Sequence, residues 1–346
     1  MIQIKKLLFV LLICTIAIVD AFAGGENRAG TAAAPELKIP VGSRYLGMGG
    51  SAVASATGLE AIYWNPAGVA VTNTSANAIF SYRKYIADMN MDYVAVSGSF
   101  EGFGTLALAF RSLNVGAIDV TTLAQPDGTG EQFTPSYFVI GVTYSRQLTD
   151  RISVGTTFNF INESWARVQA NALSFDVGVQ YRNLFDIDGL AVGVAVKNLG
   201  GSMKYEGSAL WIQATAQGSQ RPATFYQVGA ASFELPSEIS LGLAYSRHFD
   251  EDNSLSFAGT FVNNNFAYDE YRIGAEYNYQ NMLYLRGGYM FSPNTADDNP
   301  NIFQDFSLGV GVNFKQFTDL DISLDYAYVP VKYFDANNAF TIRFGF

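Results

Sequence analysis

Leu320 to Tyr328 reads Leu-Asp-Ile-Ser-Leu-Asp-Tyr-Ala-Tyr, and Phe306 to Phe314 reads Phe-Ser-Leu-Gly-Val-Gly-Val-Asn-Phe. Large apolar side chains take every second position, and Asp, Ser, Gly, Ala or Asn fill the alternate ones. Side chains on a strand point to opposite faces with period two, so each stretch makes a ribbon with one apolar and one polar face. The pattern recurs down most of the 346-residue chain. A soluble sandwich would bury such faces against each other. This many ribbons, behind a secretory signal and ending on an aromatic residue, fit an all-β fold: an antiparallel transmembrane barrel whose apolar faces meet lipid.

Composition agrees. Aromatics are 14% of residues, with 33 Gly and only 10 Pro, which suits long strands, tight turns and aromatic girdles. A mean hydropathy of +0.11 argues against a helical membrane protein. Lys5 and Lys6 precede an apolar run from Leu7 to Val19 and the small-x-small triplet Ala21-Phe22-Ala23, so residues 1–23 read as a cleaved signal peptide. That run is shorter than the roughly 20 residues a spanning helix needs. Cys14, the single cysteine, leaves with it, and with it any disulfide, Cys nucleophile or thiolate metal site. Losing Lys5, Lys6 and Asp20 takes the basic count from 21 to 19 and the acidic count from 31 to 30, a net charge of −11. Such a surface repels nucleic acid.

Residues 24–36 are rich in Gly, Ala and Thr and read as a flexible leader. Residues 37–73 alternate poorly and carry Met48-Gly49-Gly50 and Tyr63-Trp64-Asn65-Pro66-Ala67-Gly68. They are expected to form an N-terminal plug in the lumen, with the barrel over 74–346. Fifteen stretches read as strands, and bacterial single-chain barrels have an even number. The odd one is 224–233, where Phe225 and Tyr226 are adjacent and Ala230-Ala231 sits at the centre. Keeping it would put the long Ser292 to Asn301 connection in the periplasm, where turns are short. Removing it predicts fourteen strands and one long outer loop over 200–236. In the last strand Phe340, Ile342, Phe344 and Phe346 share a face, as in the C-terminal assembly signal of outer-membrane barrels.

Arg111, Asp176, Lys197, Arg272, Glu276, Arg286, Asp325 and Arg343 fall opposite the apolar faces and are expected to point into the lumen. On the lipid face at mid-membrane each Arg or Lys would cost roughly 2–4 kcal/mol, so this register is strongly preferred. A mixed-sign interior can wet a pore or bond to a plug; the forty or so non-strand residues before the first strand favour the plug. Within it, Asn65 and Pro66 suit the N-cap and first position of a short helix. Gly47, Gly49 and Gly50 permit backbone shapes and close approaches that side chains would block.

Enzyme chemistry finds no residue set, and no cofactor is expected. His248, the single histidine, rules out a multi-His metal site and sits beside a predicted periplasmic turn. Gly102-x-Gly104-x-x-Ala107 opens a strand, whereas a dinucleotide loop opens a helix. Asp297-Asp298 and Asp305 lack the spacing of a Ca²⁺ loop. Long outer loops are expected at 114–135, 200–236 and 292–303, where recognition commonly resides. Trp211, Phe225, Tyr226 and Phe233 make the second unusually aromatic, fit either to dock a protein partner or to lie over the barrel mouth as a lid.

Ile39-Pro40-Val41-Gly42-Ser43-Arg44, Met48-Gly49-Gly50, the Tyr63 to Gly68 block, Val196-Lys197-Asn198-Leu199-Gly200, Gly274-Ala275-Glu276-Tyr277, Leu285-Arg286-Gly287-Gly288-Tyr289 and Leu324-Asp325-Tyr326-Ala327 together resemble the PorV/PorQ family. That family is similar in fold to the FadL fatty-acid channels. Relatives often carry an acidic pair ahead of the Trp-Asn-Pro block, where this chain has Ala52 to Ala56 followed by Glu60. The resemblance implies a plugged fourteen-stranded barrel in the outer membrane of a Gram-negative bacterium, surrounded by its lipid. It also implies a role beside the type IX secretion translocon, binding cargo proteins by their C-terminal domains. FadL-like relatives imply the alternative, uptake of a hydrophobic small molecule.

Overall fold

Alternating ribbons cannot expose their backbone edges in lipid, and closing the sheet on itself is the arrangement that leaves none. The computed structural model, which describes residues 28–215, 217–218, 222–293, 302–303, 305–317 and 320–346, shows that closure. The strands are β1 (Ala76–Lys84), β2 (Asn90–Phe100), β3 (Gly104–Asn114), β4 (Ser136–Gln147), β5 (Ile152–Trp165), β6 (Val168–Arg182) and β7 (Leu190–Gly200). There follow β8 (Glu238–His248), β9 (Asn253–Asn264), β10 (Glu270–Tyr279), β11 (Leu283–Phe291), β12 (Asp305–Asn313), β13 (Asp321–Val331) and β14 (Phe334–Gly345). Each pairs antiparallel with its sequence neighbours, and β14 closes onto β1 from Asn77↔Gly345 to Lys84↔Asn338. Residues 1–23, read from the sequence as a signal peptide, lie outside the described residues.

Side-chain exposure follows the two-residue code. On β3, Leu108 is 51% exposed and its neighbour Ala107 4%. One rim carries short turns at 101–103, 148–151, 249–252 and 280–282 together with both ends of the barrel chain, where Ser75 donates to the carbonyl of Phe346 (2.9 Å). The opposite rim carries the long connections, which identifies it as the extracellular side. Gly102 (φ 73°) occupies the first of the short turns, and exposed His248 ends β8 beside another.

The segment set aside at 224–233 is outside the barrel and still forms β structure. Thr224–Gln227 pairs with Trp211–Ala214, and Ser232–Phe233 pairs with Met203–Lys204, so the long outer loop is a layered hairpin. At the root of β7 a bulge opposite Phe175 and Val177 places Asn198 at φ 57°, its N–H donating to Asp176 (2.7 Å). The stretch read as a leader departs from expectation at its end. Ala33, Ala34 and Glu36 are buried, and the Ala33 N–H donates to the carbonyl of Glu234 (2.9 Å). Small alanines fit where the outer loop root meets β4, β5 and β6, in a cluster with Val139, Ile161, Ala172, Met203 and Leu235.

Candidate functional site

The segment from Ala33 to Val71 is folded into short helical turns, Pro35–Lys38, Ser43–Leu46, Gly58–Glu60, Ala61–Trp64 and Pro66–Ala70, and is packed against the inward faces of the strands. Asn65 has the capping role its neighbours suggest. Its Oδ1 accepts from the Ala67 N–H (3.1 Å) while Nδ2 donates to the carbonyls of Val53 (2.8 Å) and, on β6, Val179 (3.1 Å). Trp64 is buried edge-on to Tyr63 and Tyr45, with ring centroids at 4.9 and 6.4 Å. Met48, Pro66, Ala67 and Gly68 are buried with it.

The wall meets this segment through glycine. A Cβ on Gly155 would fall on the Pro66 backbone, on Gly178 onto Asn65, and on Gly193 or Gly242 onto Val53 and Ala54. On Gly274 or Gly288 it would strike Met48, and on Gly309 the backbone of Gly47. Six inward glycines on β5, β7, β8, β10, β11 and β12 thus let two backbones touch, and a seventh, Gly178 on β6, makes room for the Asn65 side chain, contacts any side chain would hold open. Gly49 adds a hydrogen bond from its N–H to Ser307 (2.8 Å).

Arg286 sits between Glu276 (2.6 Å) and Asp325 (2.5 Å), and Asp325 also takes Arg343 (2.9 Å). Arg44 of the luminal segment completes the group, donating to both oxygens of Glu276 at 3.0 and 2.7 Å. Glu60 lies under Gly42 beside them, and burial pushes its carboxyl above the usual range. Across the lumen, Lys197 pairs with Glu238 (2.8 Å), donates to the Tyr63 carbonyl (3.1 Å) and sits 4.0 Å from the centre of the Tyr63 ring. Arg111 donates to the Leu37 carbonyl (3.4 Å), Arg272 pairs with Glu270 beside Trp64, and Asp176 accepts from Asn159 (2.8 Å).

Some of this is new relative to the sequence reading. Glu163, Glu238 and Glu270 occupy inward positions that the same parity would have flagged. Arg44 and Glu276 are 232 residues apart, and no local pattern joins them. Glu36 is buried against Glu163, itself bonded to Tyr205 of the outer loop. Burial, then the Glu163 carboxylate, pushes Glu36 up to about 8 from an ordinary 4.5. A carboxyl whose folded pKa exceeds its unfolded one holds an extra proton in the fold, so stability is full below about pH 4.5 and falls as pH rises to about 8. The slope approaches roughly 1.4 kcal/mol per pH unit. Glu36→Gln removes that contribution: the melting temperature of the purified barrel should fall less between pH 5 and 8 in the variant than in the parent.

On the extracellular rim, Trp211 and Phe225 are 56% and 66% exposed, and Tyr226 and Phe233 are exposed beside them. The rings of Trp211 and Phe225 pair at 6.5 Å on the hairpin tip, while Met203, Tyr205 and Leu235 fix the loop root to the barrel. Asp297 and Asp298 lie outside the described residues, as does the side chain of Asp305.

Residues 22–262 match the family described as Type IX secretion system protein PorV. No curated protein sequence matches the chain. Among solved structures it is similar to the CymD monoaromatic hydrocarbon channel, with TM-score 0.53 and 15% identity over 88% of this chain and 96% of that one. It is likewise similar to the Pseudomonas putida toluene transporter TodX, with TM-score 0.54 and 13% identity over the same shares. At these identities the likeness is one of fold.

Proposed function

Because the chain belongs to the PorV family of type IX secretion proteins, we propose that it is a non-enzymatic outer-membrane accessory of that system, holding secreted proteins at its extracellular loops. The observation that carries the reading is the outer hairpin. Its root is packed to the barrel and its tip presents Trp211, Ile212, Phe225 and Tyr226 to solvent. Aromatic residues on a rigid support lose little entropy on docking and dominate the energetics of protein interfaces. The partners the reading names are the translocon and the C-terminal domains of its cargo.

Passage of a hydrophobic small molecule through the lumen is the rival reading, and the glycine contacts weigh against it. Backbone seated on backbone at six of the fourteen strands argues for a through-path only if the segment moves as a body.

Replacing residues 210–228 with a short Gly-Ser turn keeps the root and removes the tip. Cargo captured on isolated outer membranes should fall at least tenfold while the barrel still folds and inserts. Unchanged capture would rule out docking through the hairpin and leave it as a cover over the barrel mouth.

A further inference from the structure

Lys38 closes the first turn of the luminal segment, and Asn264 ends β9 at the extracellular rim, 226 residues further along the chain. Their side chains meet: Lys38 Nζ donates to Asn264 Oδ1. Lys38 forms no ion pair among the described residues. Both ends of the contact are held. Asn264 is completely buried, its Nδ2 donating to the Tyr268 carbonyl (2.7 Å) and its N–H to Asp269 (3.1 Å). The Lys38 carbonyl accepts from the Tyr63 hydroxyl (3.1 Å), and Ile39, next in the chain, is buried in a cluster with Val41 and Trp64.

In water an amide resists a lysine because the amine is protonated and the encounter is brief. Neither obstacle holds here. Burial pulls the Lys38 ammonium below its usual range, in spite of Glu270 and Glu238 and with help from Arg272 and Lys197. A desolvated lysine is a nucleophile, as the Schiff-base enzymes show. Holding amine and carboxamide in contact replaces a bimolecular encounter, for which effective molarities reach about 10⁵ M or more. The remaining need is a group that moves a proton from the attacking nitrogen to the departing one. Glu270 walls the same chamber as Lys38 and engages Arg272 through one carboxylate oxygen, Oε2 (2.9 Å from Nε).

We propose that Lys38 and Asn264 condense into an isopeptide bond that fastens the luminal segment to the barrel wall. Nζ attacks Cγ of Asn264, and Glu270 takes a proton from the attacking nitrogen and passes it to Nδ2. The Cγ–Nδ2 bond breaks, ammonia leaves, and the Nζ–Cγ amide remains. One amine and one primary amide become one secondary amide and ammonia, with no oxidant, reductant or cofactor consumed. The bond closes residues 38–264 into a ring that contains β1 to β9, and it fixes the extracellular end of the segment under either reading of the lumen.

The test is mass spectrometry of the full barrel purified from outer membranes, first intact and denatured, then digested with trypsin. The intact protein should be lighter than its residues sum to by one ammonia, about 17 Da. The digest should hold a branched peptide joining the chain around Lys38 to that around Asn264, uncut after Lys38. Lys38→Arg, which keeps the charge, should show the full mass and the two peptides apart. Glu270→Gln should form the bond at least tenfold more slowly in freshly refolded protein. Full mass with separate peptides in the unaltered protein overturns the proposal. Loss of ammonia without the branched peptide, as when Asn264 closes on its own backbone, overturns it as well. An unchanged rate in Glu270→Gln overturns the role given to Glu270. The digest of the unaltered protein decides even where both variants fail to fold.

Discussion

Gly288→Val unseats the luminal segment, whereas Gly287→Val one residue away leaves it in place. On β11 the two glycines face opposite sides. A Cβ on Gly288 meets the backbone of Met48 and Gly49, and one on Gly287 meets nothing within 4 Å. Backbone cannot turn aside as the end of a side chain can, so valine at 288 must push the wall and the Met48–Gly49 turn apart. Overpacking alone costs about 1–3 kcal/mol, and losing the seated turn also exposes Trp64 and the helical turns behind it. The expected loss is about 3 kcal/mol or more, and in planar bilayers a closed barrel becomes a conducting one. Valine at 287 faces lipid, where its higher strand propensity contributes up to about 1 kcal/mol. Equal conductance in the two variants would mean that the segment does not seal the lumen.

Arg286→Met is the second large effect. The side chain is fully buried, held between Glu276 and Asp325, and those two acids keep only Arg44 and Arg343 once it is gone. Removing one partner of a buried ion network leaves charge without compensation and costs about 3–5 kcal/mol. Arg343→Met removes a cation that is 29% exposed, and water replaces much of what it supplied, so its cost should be about 1 kcal/mol or less. Urea titration of the folded barrel in lipid vesicles reads both. Similar costs would show that the network is hydrated throughout and contributes little to holding Arg44.

The period-two code explains why so much of the barrel was legible in the chain. Leu324 and Asp325 announce their faces by chemistry alone, and the same parity separates Leu108 from Ala107. The adjacency of Phe225 and Tyr226 broke that parity and removed one stretch from the wall. The same adjacency is no obstacle in an outer hairpin, where both faces of the ribbon meet water. What could not be read was pairing across the lumen. Arg44 finds Glu276, Glu36 finds Glu163 and Gly155 finds Pro66 only after closure brings distant residues together. Inward glycines were visible as gaps in the pattern, and nothing local says whether a gap holds water or another backbone. The burial of Ala33 and Ala34 escaped for a related reason: two alanines carry too little apolar surface to signal burial, and a cleft of matching size supplies it.

Docking of secreted proteins on the extracellular hairpin, the role proposed for it, is tested most directly by photo-crosslinking in living cells. A photoreactive amino acid at Trp211 or Tyr226, on the hairpin tip, is compared with one at Leu241, on the lipid face of β8. The tip positions should yield adducts with the translocon or with cargo carrying its C-terminal domain, and Leu241 should yield none. Tip positions that capture neither, in cells actively secreting by the type IX route, would contradict the account.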